Sequence, residues 1–398
     1  MKHLIARHSL SVLTLTLSFV VTSCQSGNAN MAQTQQALFT PAPGSPISVA
    51  GGAGNIRIGD VNNDKKLDLV VAGAKSQTIT VLLGQGAARF TAAANPTPVA
   101  HPPHEIALGD VDSDGKLDLA VGTHDSYSVF IFLGDGNGRF STPSYPIVMR
   151  DGDHPHTHGV VLADMNHDNK LDLVTVNSTD NDMSVAFGDG RGSFTRAQRS
   201  PFPVGPSPYP FGVGDVNGDG QLDIVATATA TGPLRAQQLP MSRALTLLLA
   251  DGNGGFSSTQ LPIRTGEPWF AAIGDINGDR KPDIVATHHD GNKLTVLLAG
   301  DRGGFVEAPG SPFDFGGQAS HAAIVDVNRD GKNDVIAAGG ASVRVMLGDG
   351  RGGFTTGPTI QSGRGTWRMD LGDLNGDGKL DVVTSNMDSD TVTVLLAK

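Results

Sequence analysis

Seven near-identical acidic nonapeptides recur along the 398-residue chain, and they limit its possible folds more than any other feature. They begin at Asp60, Asp110, Asp164, Asp215, Asp275, Asp326 and Asp373, so successive starts lie 50, 54, 51, 60, 51 and 47 residues apart. A self-similar period of this length means a repeat architecture, in which each unit buries its apolar face only against its neighbours.

Each nonapeptide places carboxylates or amides at positions 1, 3, 5 and 9, with turn-forming residues between them. A short loop of this kind can wrap a hard cation that takes six to eight oxygen ligands, and Ca²⁺ is the expected ion. In DVNNDKKLD the side-chain ligands are expected to be Asp60, Asn62, Asp64 and Asp68, with the Lys66 carbonyl as a fifth oxygen. In DVDSDGKLD they are Asp110, Asp112, Asp114 and Asp118, and in DMNHDNKLD they are Asp164, Asn166, Asp168 and Asp172. DVNGDGQLD offers Asp215, Asn217, Asp219 and Asp223, and DINGDRKPD offers Asp275, Asn277, Asp279 and Asp283. The last two copies offer Asp326, Asn328, Asp330 and Asp334, then Asp373, Asn375, Asp377 and Asp381. Up to seven ions are therefore expected. Position 6 calls for a positive φ, which glycine adopts freely. Lys65 and Arg280 stand there in two copies, where weaker or more strained sites are expected.

These loops hold 22 of the 40 acidic residues, so the net charge of −11 says little about partners. No basic patch points to nucleic acid. Lys2 and Arg7 precede an apolar run from Leu10 to Val21 that ends in VTSC at Cys24. The run is too short to span a bilayer and has the flanks of a signal peptide. VTSC resembles a bacterial lipobox, which implies cleavage before Cys24, the chain's one cysteine, and lipid attachment there. The expected organisation is a signal peptide over 1–23, a lipidated flexible tether over 24–36, and one repeat domain over 37–398. The resemblance, with Gln25 after the cysteine, implies the bacterial cell envelope, on the outer membrane.

Each unit shows four strand-like stretches, such as 55–60, 67–72, 78–84 and 89–99 in the first. Asp-Gly turns such as GDGNGRF (134–140) mark hairpins. Four antiparallel strands in each of seven units predict an all-β, seven-bladed β-propeller. The last unit stops after its third strand, while residues 37–49 match the fourth-strand segment 304–315. The N-terminal strand is thus expected to close the last blade and remove two open edges.

With these loops and strands, the chain resembles the FG-GAP or VCBS-repeat family, the propellers of integrin α-subunit heads and many bacterial surface proteins. The resemblance covers residues 38–398. It implies Ca²⁺ in each loop on one face, between the innermost and second strands. The family includes adhesion modules, lectins and enzymes, so function has to be read from a site.

Six residues before each loop's first Asp lie Gly54, His104, His158, Tyr209, Trp269, Ser320 and Trp367. These positions start the innermost strands and are expected to ring the channel mouth on the face opposite the cation loops. Exposed large aromatics there suggest a binding surface. Nine of the ten histidines after the signal segment fall in turns on that face, including His101, His124, His154, His156, His288, His289 and His321. HPHTH (154–158) alternates, so an extended backbone would send its three imidazoles to one side. The candidate ligand-binding residues are His104, His156, His158, Tyr209, Trp269, His288, His289, His321 and Trp367. Converging imidazoles would also suit a transition metal or acid–base work. Arg57 and Asp370, at equivalent positions of the first and last units, are expected to form a salt bridge. The turn 227–244 is longer than its counterparts and could wall the site.

The leading expectation is a recognition module that takes a glycan or a protein. A carbohydrate-active lyase or dehydratase, with catalytic residues unassigned, is the alternative, and a structural envelope subunit is a third.

Overall fold

The computed structural model describes residues 37–141, 145–229, 244–264, 266–288, 291–300 and 304–398. The signal and tether segments, with Cys24, and most of the long turn 227–244 lie outside these residues, as does His289. The described residues are all β, with no helix, arranged in antiparallel sheets of a β-propeller.

The first unit shows how sequence makes a sheet. Its inner strand Ala53–Gly59 pairs with Asp68–Gly73, which pairs with Thr78–Gly84, which carries the outer strand Phe90–Ala92. All six residues of Asp68–Gly73 are buried. Both faces of this second strand meet a neighbouring unit, which explains its continuous apolar run rather than an alternating one. Seven apolar clusters fill the spaces between successive units. One joins Ile106 and Leu119 to Val70 and Val81 of the unit before. Another joins Ile56 and Leu69 of the first unit to Val383 and Val394 of the last, which closes the ring.

Phe39–Pro41 pairs with Thr391–Ala397, and Ile47–Ser48 adds to the same strand, so the N-terminal segment supplies the missing outer strand. Ser45, Ser200 and Ser311 each precede a cis proline, and each hydroxyl accepts the backbone N–H of a third strand, at Val394, Val185 and Val296. The seven units occupy six sheets rather than seven separate blades. Phe354–Gly372 runs without a break from the outer edge of the sixth unit into the inner strand of the seventh, so the two share one sheet.

The nonapeptides form tight loops between inner and second strands. Position 6 is left-handed in every copy, from Gly220 at φ 86° to Asn169 at φ 62°, with Lys65 and Arg280 at φ 66°. The position 9 carboxylates are buried and bind the same way in all seven. Asp68 Oδ2 accepts the Val61 N–H at 3.0 Å, and its Oδ1 accepts the Gly84 N–H at 2.7 Å. Asp381 does likewise with Leu374 and Ala397. This Asp fastens the loop to the end of the third strand, a role its ligand spacing did not reveal.

Candidate functional site at the channel mouth

A backbone irregularity aims the side chains at the mouth. The pairing of the inner strand slips at Gly54, at His104, beside His158, at Trp269 and at Trp367. An extra residue in one strand bends it and re-aims the side chain it carries. In four of these five units the unpaired residue is the one six positions before the loop.

The re-aimed rings close a circuit. His158 stacks on Tyr209 at 4.1 Å between centroids, and Tyr209 lies 4.0 Å from Trp269. Trp269 meets Trp367 edge-on at 5.7 Å, Trp367 meets His104 at 6.4 Å, and His104 meets His158 at 5.0 Å. Ser320, at the equivalent place in the sixth unit, donates its hydroxyl to the Trp367 carbonyl at 2.8 Å and holds that strand in position. Beside the two tryptophans opens a cavity of about 370 Å³ lined also by His288, Gln318, Ser320, Thr366 and Asp388. This volume falls in the range of small-ligand sites.

The histidines divide into groups. His124, His156 and His158 come together on the opposite side of the mouth, with ring centroids 4.0 to 5.2 Å apart. His288 is buried against Thr295, with Nε2 to Oγ1 at 2.8 Å. His321 packs on Phe270 at 4.2 Å, away from the circuit. His101 lies against Phe130. His154 is exposed and does not join its neighbours, because pairing to the next strand reaches back only to the His156 carbonyl, which accepts the Ser178 N–H at 2.8 Å. Alternation therefore aligns His156 with His158 and leaves His154 out.

Burial keeps the deepest imidazoles of the mouth neutral above a charged floor. Burial, and then the neighbouring His124 and His104, push His156 down to about 4. Burial pushes His158 and His321 well below the ordinary imidazole range. Beneath them lies a buried ion pair, Arg368 Nη2 to Glu105 Oε1 at 2.5 Å, with Asn55 Nδ2 donating to the other carboxylate oxygen at 2.5 Å. Burial raises the Glu105 pKa, but the Arg368 guanidinium outweighs it and holds the carboxyl well below its usual range. The expected Arg57–Asp370 bridge does not form. Arg57 donates to Asn55 Oδ1 and the Ile56 carbonyl, while Asp370 accepts the Ile58 N–H. Both side chains find backbone partners closer than each other, and Arg368, two residues earlier in the strand, reaches the buried acid instead.

On the opposite face, each loop gathers its own oxygens. Asp110 accepts the N–H groups of Asp114 and Gly115, and Asp112 accepts that of Asp114. One carboxylate oxygen from each of Asp110, Asp112 and Asp114 lies within 4.8 Å of the others. Such an all-oxygen donor set fits a hard cation.

The FG-GAP-like repeat family matches residues 60–121, 110–175, 164–226, 275–337 and 326–384, and the chain belongs to this family. No curated protein matches. Among solved structures, the chain resembles BBS1N in its complex with ARL6DN, at 12% identity and a TM-score of 0.63, over 91% of this chain and 98% of that one. It resembles a streptogramin B lyase at 14% identity and a TM-score of 0.56, covering 89% and 97%. It also resembles an Agrocybe aegerita lectin described as recognising non-reducing terminal N-acetylglucosamine, at 19% identity and a TM-score of 0.54, covering 86% and 87%. At these identities the likeness is one of fold. In general terms the FG-GAP propeller is a binding or recognition fold.

Proposed function

We propose that the protein is a calcium-binding recognition module of the bacterial cell envelope that takes a glycan at its aromatic mouth. The observation that carries this reading is the circuit of His104, His158, Tyr209, Trp269 and Trp367 beside the cavity that both tryptophans line. Trp367 is partly exposed and can stack on the apolar face of a sugar ring, Trp269 is 5% exposed and backs it edge-on, and the polar wall of Gln318, Ser320, Thr366 and Asp388 offers hydrogen bonds to hydroxyls. The lectin among the structural neighbours, described as recognising non-reducing terminal N-acetylglucosamine, supports a sugar as the ligand. The BBS1N complex makes a protein ligand the other outcome of the test.

Ca²⁺ would occupy the loops of the opposite face through positions 1, 3 and 5, with position 9 contributing its remaining lone pairs. There it ties loop geometry to folding. Lys2, Arg7, the apolar run and Cys24 support export and a lipid anchor, on the outer membrane. Loss of palmitate labelling in Cys24→Ala would agree with that, and full labelling would refute it.

The ligand reading is tested on a glycan array with Ca²⁺ present. Trp269→Ala and Trp367→Ala should each weaken a bound glycan by about tenfold, the equivalent of about 1.4 kcal/mol of lost stacking. Unchanged binding in both variants refutes the stacking role. An array without hits, together with a protein captured only by the wild type, favours the protein ligand.

A further inference from the structure

The three histidines at the mouth make a second, chemically different metal site. We propose that His124, His156 and His158 bind one divalent transition ion, with Zn²⁺ the probe of choice, on the face opposite the calcium loops. The site rests on three observations.

The first is convergence. One ring nitrogen from each residue lies within 4.8 Å of the other two, although His124 sits 32 residues before His156 in the chain. Tetrahedral coordination at about 2.0–2.1 Å places such nitrogens about 3.4 Å apart. His124 and His156 are only partly buried, so side-chain rotation alone can bring them to that distance.

The second is an unsatisfied buried imidazole. His158 is 1% exposed, yet neither Nδ1 nor Nε2 has a hydrogen-bond partner. Leaving a buried polar group without a partner costs about 1–3 kcal/mol. A metal on one nitrogen removes much of that cost.

The third is orientation from behind. His124 Nδ1 lies 2.7 Å from Asp125 Oδ1. An ionised carboxylate only accepts, so the proton is on Nδ1 and the lone pair is on Nε2. A carboxylate that holds the far nitrogen in this way orients a metal-bound histidine and raises its basicity.

The donor set decides the kind of ion. Three neutral nitrogens and no carboxylate suit Zn²⁺, Cu²⁺ or Ni²⁺ and do not suit Ca²⁺ or Mg²⁺. Three protein ligands also leave a fourth position open. The site shares His158 with the aromatic circuit, but none of its three histidines lines the tryptophan-lined cavity, so its failure would leave the glycan reading standing, and an empty glycan array would leave the metal site standing.

The test uses tag-free, chelator-washed protein in saturating Ca²⁺, which fills the oxygen loops. Zn²⁺ titrated against a chromogenic competitor should show one saturable equivalent. His124→Ala and His156→Ala should each lower its affinity at least 100-fold. Asp125→Asn should lower it about 10- to 100-fold, since it only positions His124. His154→Ala, an exposed histidine of the same segment, should bind like the wild type. Bound Co²⁺ should give the strong visible bands of a four-coordinate site, and these should be lost in His156→Ala. Absence of a saturable equivalent in the wild type overturns the proposal, as does wild-type affinity in His156→Ala. Both substituted histidines are partly exposed, and a melting curve for each variant confirms folding before titration.

Discussion

Replacing Glu105 by Gln isolates the buried charge beneath the mouth. Glu105 and Arg368 are 3% and 1% exposed, and their closest atoms are 2.5 Å apart. At about 4 Å between charge centres and an effective dielectric near 20, the attraction is worth about 4 kcal/mol. Gln keeps the volume but leaves the guanidinium in the channel without its counter-ion, and Arg368 Nη1 already lacks a partner. The expected loss is about 3–5 kcal/mol, the usual result of breaking a buried pair from one side. For a unit of about 360 residues, at about 2.1 cal/mol/K of unfolding entropy per residue, the melting temperature falls by about 4–7 °C. Urea unfolding followed by tryptophan fluorescence reads this directly, because Trp367 adjoins Arg368. The double variant Glu105→Gln/Arg368→Met removes both charges and should return to within about 1 kcal/mol of the wild type. The pH dependence has a fixed sign. The folded pKa of Glu105 is depressed, so its contribution is complete above the unfolded value of about 4.3 and is lost only as pH falls below it. The gap between wild type and Glu105→Gln should therefore stay constant from pH 8 to pH 5 and narrow only in strong acid. A loss under 1 kcal/mol, or a double variant as unstable as the single, would show that the pair does not hold the mouth together.

Arg280 and Lys65 stand at position 6 with φ 66°, where glycine occupies four other copies. Arg280→Gly should stabilise the protein by about 1 kcal/mol despite glycine's larger unfolded-state entropy, and no rise in a thermal melt would refute the strain. Chelation with EGTA should lower the melting temperature and Ca²⁺ should restore it, with about 2.7 kcal/mol expected from one coupled site at 100-fold excess over Kd. Identical melts with and without Ca²⁺ would exclude a stabilising role for the loops. Tyr127 is pushed up to about 12 by burial and then by Asp180, which accepts its hydroxyl at 2.5 Å. Its contribution is complete below about pH 10 and is lost as pH rises toward 12. Ultraviolet titration of Tyr127→Phe should lack this late-ionising tyrosine, and a wild type whose tyrosines all ionise near pH 10 would refute it.

Much of the fold is legible because the repeat copies its own rules. The Asp and Gly spacings of the nonapeptide are local, and so is the apolar run of each second strand. The counting frame they supply also finds His104, His158, Tyr209, Trp269 and Trp367, because equivalent positions in repeats take equivalent places. Partner choice is less legible. Arg57 and Asp370 occupy matching positions and do not pair, whereas Arg368 reaches across to Glu105, 263 residues away in sequence. HPHTH reads as one alternating stretch, yet only His156 and His158 align, because strand pairing reaches back only to the His156 carbonyl.

Sequence alone determined the seven units, the places of the acidic loops, the closing N-terminal strand and the face on which the aromatics lie. These follow from local periodicity and from the saturation of strand edges. The tertiary structure decided which rings touch, that His124 joins His156 and His158, that the position 9 aspartates fasten loops to strands, and where the buried charge finds its partner. Those outcomes depend on backbone slips and on distances across the channel. No residue carries a sign of either in its neighbours along the chain.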